Sequence, residues 1–339
     1  MNRLHKASTL AQQNGLLFAL VALIATFSLM SDRFLTVSNF SVIFLQVAVI
    51  GIVAIPGSML LLAGYVDLSV GAIAVLSAVI FGQVMAADGN LLVAALAGIV
   101  VGAGWGALNG YLIAVLGLSP IIVTLGGLAG ARGAAELITQ GFTTYGYGPV
   151  FSLLGNGKLY GMPVPIVIFV IITLIGLHVW YRTPYGRHMV AIGGAKETAA
   201  ELGIPTRAIP FWLYTVSGLA AAVGGLIIAS ELDGAAISIG TGLELEVLTA
   251  VLLGGVSFSG GRGSLLVVLF GVLFIGVLDN GLVQVNVSPY FERCAIGIAL
   301  VAAAGLDILY QRLERLKIPN EVAEPAEPNT AVAAGGIAK

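Results

Sequence analysis

A few polar and charged side chains stand inside otherwise apolar runs of this sequence, at spacings that suggest chemistry. Arg132 precedes Glu136 by four residues, and Asn280 precedes Gln284 by the same interval, so each pair would share one face of a helix. An unpaired charge inside a bilayer costs at least about 2.5 kcal/mol, so it indicates an internal ion pair or contact with a transported solute. We expect Arg132 to pair with Glu136, and we keep contact between Arg132 and a solute as the alternative.

Asp67 and Ser69 form a polar turn between two apolar runs. Asp67 is suited to accept backbone N–H groups as the N-cap of the helix that follows. Gly64, Gly71 and the Pro-Gly pair at 56–57 permit irregular backbone, which a membrane protein tolerates where protein or a cavity covers it. The turn is therefore a candidate for capping and for an inner gate, and the two roles are compatible.

The sequence does not support catalytic or metal-binding chemistry. His5, His178 and His188 are scattered and Cys294 is the only cysteine, so neither a disulfide framework nor a Cys/His metal cluster can be assembled. The phosphate-binding pattern G-x-x-x-x-G-K-[S/T] and the metalloprotease pattern H-E-x-x-H do not occur. We therefore predict that the chain is not an enzyme and itself binds no ATP, other cofactor or metal.

The composition indicates the class of protein. Hydrophobic residues make up 58% of the chain, charged residues 9%, and the mean hydropathy is +1.02, whereas soluble domains contain about 25% charged residues. We predict an all-α, polytopic transmembrane helix bundle of about ten spans, because the apolar runs approach the roughly 20 residues that cross a bilayer. The predicted spans are 16–31, 42–63, 69–87, 91–116, 120–139, 164–181, 209–230, 244–258, 264–283 and 289–311.

Positive charges orient these spans. With the N-terminus inside, lysine and arginine concentrate in the cytoplasmic segments, and the outer loops hold only Arg33 and Lys158. Both termini are therefore predicted to be cytoplasmic. The resulting organisation is an N-terminal segment 1–15, a membrane domain 16–311, and a cytoplasmic tail 312–339 whose Pro, Glu, Ala and Gly content predicts disorder.

Residues 182–208, called the inner segment below, are a basic stretch between two predicted spans. Their sequence, RTPYGRHMVAIGGAKETAAELGIPTRA, contains a Pro-Tyr-Gly turn and a helix-compatible run from Lys196 to Leu202, closed by Gly203 and Pro205. A short helix under a bundle can transmit force from a soluble partner. Positive charge that only fixes the topology explains the same composition, so both interpretations stay open at this point.

The inner segment resembles the coupling loop of the ribose-type permeases of ABC importers. That loop reads R-T-x-x-G-R-x-x-x-A-x-G-G-N with a later G-I, although Ala195 stands here where the family has Asn. Residues 63–71, 119–126 and 249–263 are similar to the family's G-G-x-D-L-S-V-G, S-P-F-I-V-T-L-G and L-G-G-x-S-x-x-G-G-x-G motifs. By this resemblance, the residues that couple to an ATPase are Arg182, Thr183, Gly186, Arg187, Gly193, Gly194 and Gly203.

The resemblance implies the membrane-spanning permease of an ATP-driven importer in the cell inner membrane, which moves a monosaccharide or sugar-like solute. The implied partners are a cytosolic ABC ATPase that uses ATP and Mg²⁺, a second permease copy or paralogue, a periplasmic or lipid-anchored solute-binding protein, and membrane lipid, with no nucleic acid. The candidates for the gate or pathway are Asp67, Ser69, Asn109, Thr124, Arg132, Glu136, Asn280 and Gln284.

Two alternatives stay open. The solute can instead be a nucleoside, a branched-chain amino acid or a signalling sugar, because related permeases share a similar layout. A secondary transporter driven by an ion gradient usually carries carboxylates or broken helices near the bilayer midplane, and Asp279 and Glu136 are the weak candidates for that role.

Overall fold

The architecture is a helix bundle with two-residue strands in its loops. The computed structural model describes the backbone of residues 2–316 and the side chains in that range, apart from those of 2–14, 88, 289, 292 and 309–316. Most of the predicted tail, from residue 317 onward, lies outside the described residues. The helices are α1 Asn2–Met30, α2 Val37–Leu62, α3 Val70–Asp88, α4 Leu91–Gly110, α5 Pro120–Thr139, α6 Leu153–Asn156, α7 Val164–Arg182, α8 Pro184–Gly194, α9 Lys196–Glu201, α10 Ala208–Glu231, α11 Leu243–Leu253, α12 Leu265–Gln284 and α13 Pro289–Leu316. The strands are β1 Thr144–Tyr145, β2 Lys158–Leu159, β3 Met162–Pro163 and β4 Gly234–Ala235.

The prediction of an all-α, polytopic membrane bundle is confirmed. Within the part of the chain that the structure describes, 7 helices are long and apolar enough to cross a membrane. They are α2, α3, α4 with its π-helical extension Tyr111–Val115, α5, α7, α10 and α12. The first predicted span corresponds to a shorter apolar stretch, Gly15–Met30, and the last lies within α13.

The span predicted at 244–258 contains a helix that is too short to cross a membrane by itself. Helix α11 has 11 residues and ends at Leu253. At 1.5 Å per residue it is about 16 Å long, roughly half of the ~30 Å hydrocarbon core. The apolar run continues to Phe258, but Gly254 and Gly255 end the helix, and Gly255 adopts a φ of +74°. Hydropathy alone does not register this early end.

Local signals set the helix ends. The Thr36 hydroxyl caps α2 by accepting the Asn39 N–H at 3.3 Å, and the Asn90 side chain caps the first turn of α4 in the same way. Helices α3 and α5 end at Gly89 and Gln140, which adopt left-handed φ values of 68° and 53°. These caps satisfy backbone groups at the helix ends without help from water.

Helix α10 crosses α4 at glycines that bring the two backbones into contact. A Cβ on Gly106 of α4 would overlap the Tyr214 carbonyl oxygen of α10, and a Cβ on Gly218 would overlap the Gly102 carbonyl oxygen. Lipid provides no hydrophobic drive between helices, so close packing of small residues stabilises such a crossing. The crossing fixes the positions of the polar side chains on both helices.

Short strands close one end of the bundle. Strand β1 pairs antiparallel with β4, with Thr144 opposite Ala235, and β2 pairs with β3 in a hairpin. Phe151 lies in the loop 140–163, which contains β1, β2 and β3. It is fully buried and stacks on Phe81 of α3 at a centroid distance of 4.2 Å. The loop 140–163 is therefore anchored to the bundle.

Between α10 and α11 the chain is irregular but buried. Ala236 and Ile239 are only 7% and 3% exposed, and Gly240 and Gly242 adopt positive φ values of 68° and 91°. A Cβ on Gly71, at the start of α3, would overlap the Gly240 carbonyl oxygen. Non-helical backbone thus enters the bundle where protein covers it, as a membrane protein requires.

Replacement of Gly106 by alanine is expected to destabilise the bundle, because the new Cβ collides with a backbone carbonyl of α10. Overpacking of this kind costs about 1–3 kcal/mol. Gly104 lies on the same helix, and a Cβ there meets nothing within 4 Å, so Gly104→Ala is the matched control. Thermal unfolding in detergent compares the two variants, and equal melting temperatures would contradict the close crossing of α4 and α10.

Candidate functional site

A buried polar cluster joins the turn between α2 and α3 to two other helices. Asp67 Oδ1 accepts the Ser69 backbone N–H at 3.0 Å and the Ser69 hydroxyl at 2.6 Å. Asp67 Oδ2 accepts the Ser217 hydroxyl of α10 at 2.9 Å. Asn109 of α4 donates its amide to Ser69 Oγ at 2.9 Å. We call Asp67, Ser69, Asn109 and Ser217 the Asp67 cluster.

The role predicted for Asp67 needs a correction. The N-cap of α3 is Ser69, and its side chain makes no capping hydrogen bond. Asp67 instead folds the preceding turn, because its carboxylate accepts the N–H two residues later. Desolvation raises the pKa of the Asp67 carboxyl, while the hydrogen bonds from Ser69 and Ser217 lower it. Sequence reasoning identified Asp67, Ser69 and Asn109 but missed Ser217, which stands in α10 with no distinguishing local pattern.

Asn109 lies where α4 changes its winding. The π-helical turn Tyr111–Val115 begins two residues after it, and such turns are rare and frequently occur at functional sites. Asn109 is 2% exposed. Its amide therefore replaces hydration of the buried Ser69 hydroxyl.

The inner segment is a pair of helices rather than a linker. The predicted helical run from Lys196 matches α9, but the sequence analysis missed α8. Met189, Ile192 and Ala199 are buried against the bundle, whereas Arg182 and Arg187 are exposed. The segment is therefore anchored to the bundle by apolar side chains and leaves both arginines exposed.

Three predicted residues shape the inner segment itself. Thr183 donates its hydroxyl to the Val179 carbonyl oxygen at 2.6 Å, at the end of α7. A Cβ on Gly186 would overlap the Trp180 carbonyl oxygen, so only glycine allows the close turn from α7 into α8. Gly203 ends the segment with a φ of +77°, a conformation that favours glycine.

The inner segment meets the bundle through backbone atoms at a glycine junction, which we define as Gly64, Gly193, Gly260 and Gly261. The Gly261 N–H donates to the Leu62 carbonyl oxygen at 2.8 Å. A Cβ on Gly193 would overlap both of those groups, and a Cβ on Gly260 would lie 2.8 Å from the Gly64 Cα. The end of α2, the end of α8 and the turn between α11 and α12 are therefore in direct contact.

Gly194 differs from its neighbour. A Cβ on Gly194 meets nothing within 4 Å, although the Gly194 backbone itself packs beside Gly261. The sequence motif does not distinguish the two glycines. In the structure, only the position of Gly193 has no room for a side chain.

Arg132 contacts the irregular chain before α11 and not Glu136. Its Nη2 donates to Thr241 Oγ1 at 3.2 Å, and it attracts the Glu244 carboxylate electrostatically. Among the described side chains there is no ion pair between Arg132 and Glu136, which is exposed. The expectation of that pair is wrong, because a neighbouring segment supplies partners that helix spacing does not reveal.

Arg132 is half-buried and lies just past the middle of α5. It is twelve residues beyond Pro120, and therefore about 18 Å along α5 at 1.5 Å per residue. Thr241 and Glu244 also line a cavity of about 380 Å³ together with Glu246 and Arg293. A charged residue and a hydroxyl thus lie together beside a broken helix, an arrangement that transporters use for solute contact.

The remaining candidates have structural partners. Asn280 and Gln284 of α12 are brought together by Asn39 of α2: Asn39 Nδ2 donates to Asn280 Oδ1 at 2.8 Å, and Gln284 Nε2 donates to Asn39 Oδ1 at 2.6 Å. Thr124 is fully buried and donates to the Pro120 carbonyl oxygen of its own helix at 2.8 Å. The Asn39 contacts therefore fasten α2 to α12, and the Thr124 contact stays within α5.

A larger cavity lies between α2, α10 and the irregular chain before α11. Its volume is about 550 Å³, within the range of small-molecule sites. Its polar lining residues, most of them not singled out from the sequence, are Gln46, Asn156, Glu231, Ser238, Thr241, Glu246 and Asp279. Sequence spacing does not bring them together, because they come from separate elements.

Comparisons with known proteins agree with this description. The family described as branched-chain amino acid transport system / permease component matches residues 39–304. The D-allose transport system permease protein of Escherichia coli K12 is 33% identical over 300 residues, 88% of this chain and 92% of that protein. The ribose import permease protein of Bacillus subtilis 168 is 35% identical over 298 residues, 87% and 92% of the two chains. The L-arabinose transport system permease protein of Escherichia coli K12 is 31% identical over 303 residues, 89% and 92%. No solved structure matches the chain.

The apolar helices, the internally paired polar groups and the broken helix α11 define a multi-pass membrane transport protein. The chain belongs to the permease-component family of ABC importers named above. It is therefore a transport subunit of the inner membrane without its own ATPase site, and the resemblance to ribose-type permeases is confirmed.

The replacement Asp67→Ala is expected to lower stability, because the donors of Ser69 and Ser217 lose their acceptor inside the bundle. Each buried group left unsatisfied costs about 1–3 kcal/mol. Ser41→Ala is the control, since the Ser41 hydroxyl is exposed and bonds only to Val37 of its own helix. Unfolding temperatures in detergent test the difference, and no loss with Asp67→Ala would refute the structural importance of the cluster.

Proposed function

We propose that this chain forms the membrane path for a monosaccharide in an ATP-driven importer, and that its inner segment is the contact for the ATPase. The observation that carries the proposal is the glycine junction, where α8 touches the ends of two other elements through backbone atoms. A push on α8 must move the end of α2 and the turn after α11, because no flexible side chain lies between them.

The same contacts support a topology with ten spans. Helix α10 leads away from the inner segment and ends at Glu231, whereas the turn at 254–264 returns to Gly64 and Gly193. The irregular chain and α11 together therefore make one crossing. With α1 and α13 as further crossings, this gives ten spans with both termini in the cytoplasm, as the positive charges predict. Segments 1–15 and 312–339 are then the cytoplasmic ends of a single membrane domain.

A sugar fits the larger cavity better than an amino acid. Its lining offers carboxylate and amide oxygens, which accept hydrogen bonds from hydroxyl groups. A zwitterionic amino acid also needs a partner for its carboxylate, and none of the described residues that line this cavity is Lys or Arg. The permeases compared above are named for allose, ribose and arabinose. A monosaccharide is therefore the solute class that agrees with both the cavity lining and these relatives.

The partners follow from the family. A cytosolic ABC ATPase would bind ATP and Mg²⁺ and dock on the exposed surface of the inner segment, which includes Arg182 and Arg187. A second permease copy or paralogue would complete the path, and a periplasmic or lipid-anchored binding protein would deliver the solute. Arg132, Thr241 and Glu244 are the residues of this chain that we assign to solute passage, because Arg132 bonds to Thr241, and Thr241 and Glu244 line the smaller cavity at the broken helix.

Reconstituted vesicles test the function. The permease, with the ATPase and binding protein that co-purify with it, should accumulate labelled ribose, allose or arabinose only when ATP is supplied. An ionophore should leave this uptake unchanged. Uptake of leucine in place of sugars would refute the sugar assignment, and uptake that persists without ATP but collapses with the ionophore would identify an ion-coupled carrier.

The glycine junction predicts different effects for two adjacent substitutions. Gly193→Ala places a Cβ against backbone at two points, so ATP-driven uptake should fall at least tenfold, the factor that corresponds to about 1.4 kcal/mol. Gly194→Ala should retain uptake within about twofold, because its Cβ enters open space. The measurement is initial uptake rate at equal permease content, and equal rates for the two variants would contradict transmission through Gly193.

A further inference from the structure

A side-chain contact links the inner segment to the turn between α2 and α3. Lys196, the first residue of α9, places its Nζ 5.5 Å from the centroid of the Tyr65 ring. This distance lies within the ~6 Å range of cation–π attraction. Lys196 is exposed, whereas Tyr65 is only 7% exposed. The contact therefore joins a residue on the surface of the inner segment to one inside the bundle.

Tyr65 is rigidly connected to the Asp67 cluster. Its N–H donates to the Leu60 carbonyl oxygen at 2.9 Å, and its ring meets the ring of Tyr214 edge-on, at 6.3 Å and 81°. Tyr214 is fully buried and donates its hydroxyl to the Val66 carbonyl oxygen at 2.8 Å. Movement of the Tyr65 ring would thus displace residues 66–69 and the helices bonded to them.

The Tyr65 hydroxyl makes the position of the Tyr65 ring depend on the contacts that the ring makes with other side chains. Its oxygen is buried and has no hydrogen-bond partner among the described residues. A buried hydroxyl without a partner is unfavourable, so the ring contacts with Lys196 and Tyr214 must offset this cost. Loss of the Lys196 contact should therefore loosen the Tyr65 ring.

We propose that Lys196 and Tyr65 form a positioning pair, through which the inner segment sets the conformation of the turn that carries Asp67. The proposal rests on the proposed function, because it assigns the inner segment to the ATPase. It goes beyond that function by separating two routes of transmission. The glycine junction is a backbone contact and moves as a unit, whereas the Lys196–Tyr65 contact opens and closes with the position of α9.

Hydrogen exchange on the purified permease tests the pair without any partner subunit. Lys196→Gln removes the cation, and amides of the 60–70 region should exchange about two- to fivefold faster, the factor expected for loss of an exposed cation–π contact. Lys196→Arg should restore slow exchange, since a guanidinium also binds an aromatic face. Glu197→Gln, on the next exposed residue of α9, is the matched control and should not change exchange.

A second comparison separates the pair from general loosening. Tyr65→Leu should raise exchange in the same region by at least as much, because it also removes the ring contact with Tyr214. The double variant Lys196→Gln with Tyr65→Leu should not exceed Tyr65→Leu alone, because the Lys196 contact is already lost in that variant. Additive effects, or unchanged exchange in Lys196→Gln, would overturn the proposal. Equal melting temperatures of Lys196→Gln and Glu197→Gln would show that a faster exchange is local.

The number of sugar molecules taken up per ATP hydrolysed gives the functional readout. Lys196→Gln should lower this ratio two- to fivefold while Lys196→Arg and Glu197→Gln keep it. An unchanged ratio in Lys196→Gln would overturn the role in transmission. If the unmodified importer shows no ATP-driven uptake, the proposed function fails, whereas the exchange experiment still decides whether Lys196 positions the turn.

Discussion

Direct backbone contact at glycine is the constraint on which the rest of this structure depends. Inside lipid, apolar side chains gain little by leaving one apolar neighbour for another, so helices are held by close packing and by internal hydrogen bonds. The crossing of α4 with α10 and the glycine junction both use this means of association. The first holds the Asp67 cluster in place, and the second fastens the inner segment to the bundle.

The pairing of polar groups inside the bundle follows from the absence of water there. Backbone and side-chain donors must find acceptors within the protein, and the Asp67 cluster and the Asn39–Asn280–Gln284 contacts do so across different helices. Each set ties together elements that are far apart in sequence. The irregular chain before α11 is tolerated for the related reason that α3 covers it.

The function that we propose assigns two tasks to different parts of the bundle. The inner segment meets the bundle by backbone contact at the glycine junction, where we propose that displacement is transmitted. Arg132 bonds to Thr241 at the break before α11, where we propose that the solute passes. The Asp67 cluster ties the α2–α3 turn to α4 and α10 by hydrogen bonds. In the proposed function, these bonds supply a physical connection between the helices that carry the two tasks.

The sequence by itself determined the membrane class, the family resemblance and most of the helix positions, because hydropathy, charge bias and glycine motifs are properties of neighbouring residues. It also pointed to Asp67, Ser69 and Arg132, since polar groups are conspicuous in apolar runs. Only the tertiary structure decided their partners: Ser217 for Asp67, Thr241 for Arg132, and Asn39 for Asn280. It also separated Gly193 from Gly194 and ended α11 at Leu253. Those outcomes depend on which distant backbone comes within van der Waals distance, and local sequence patterns carry no information about that distance.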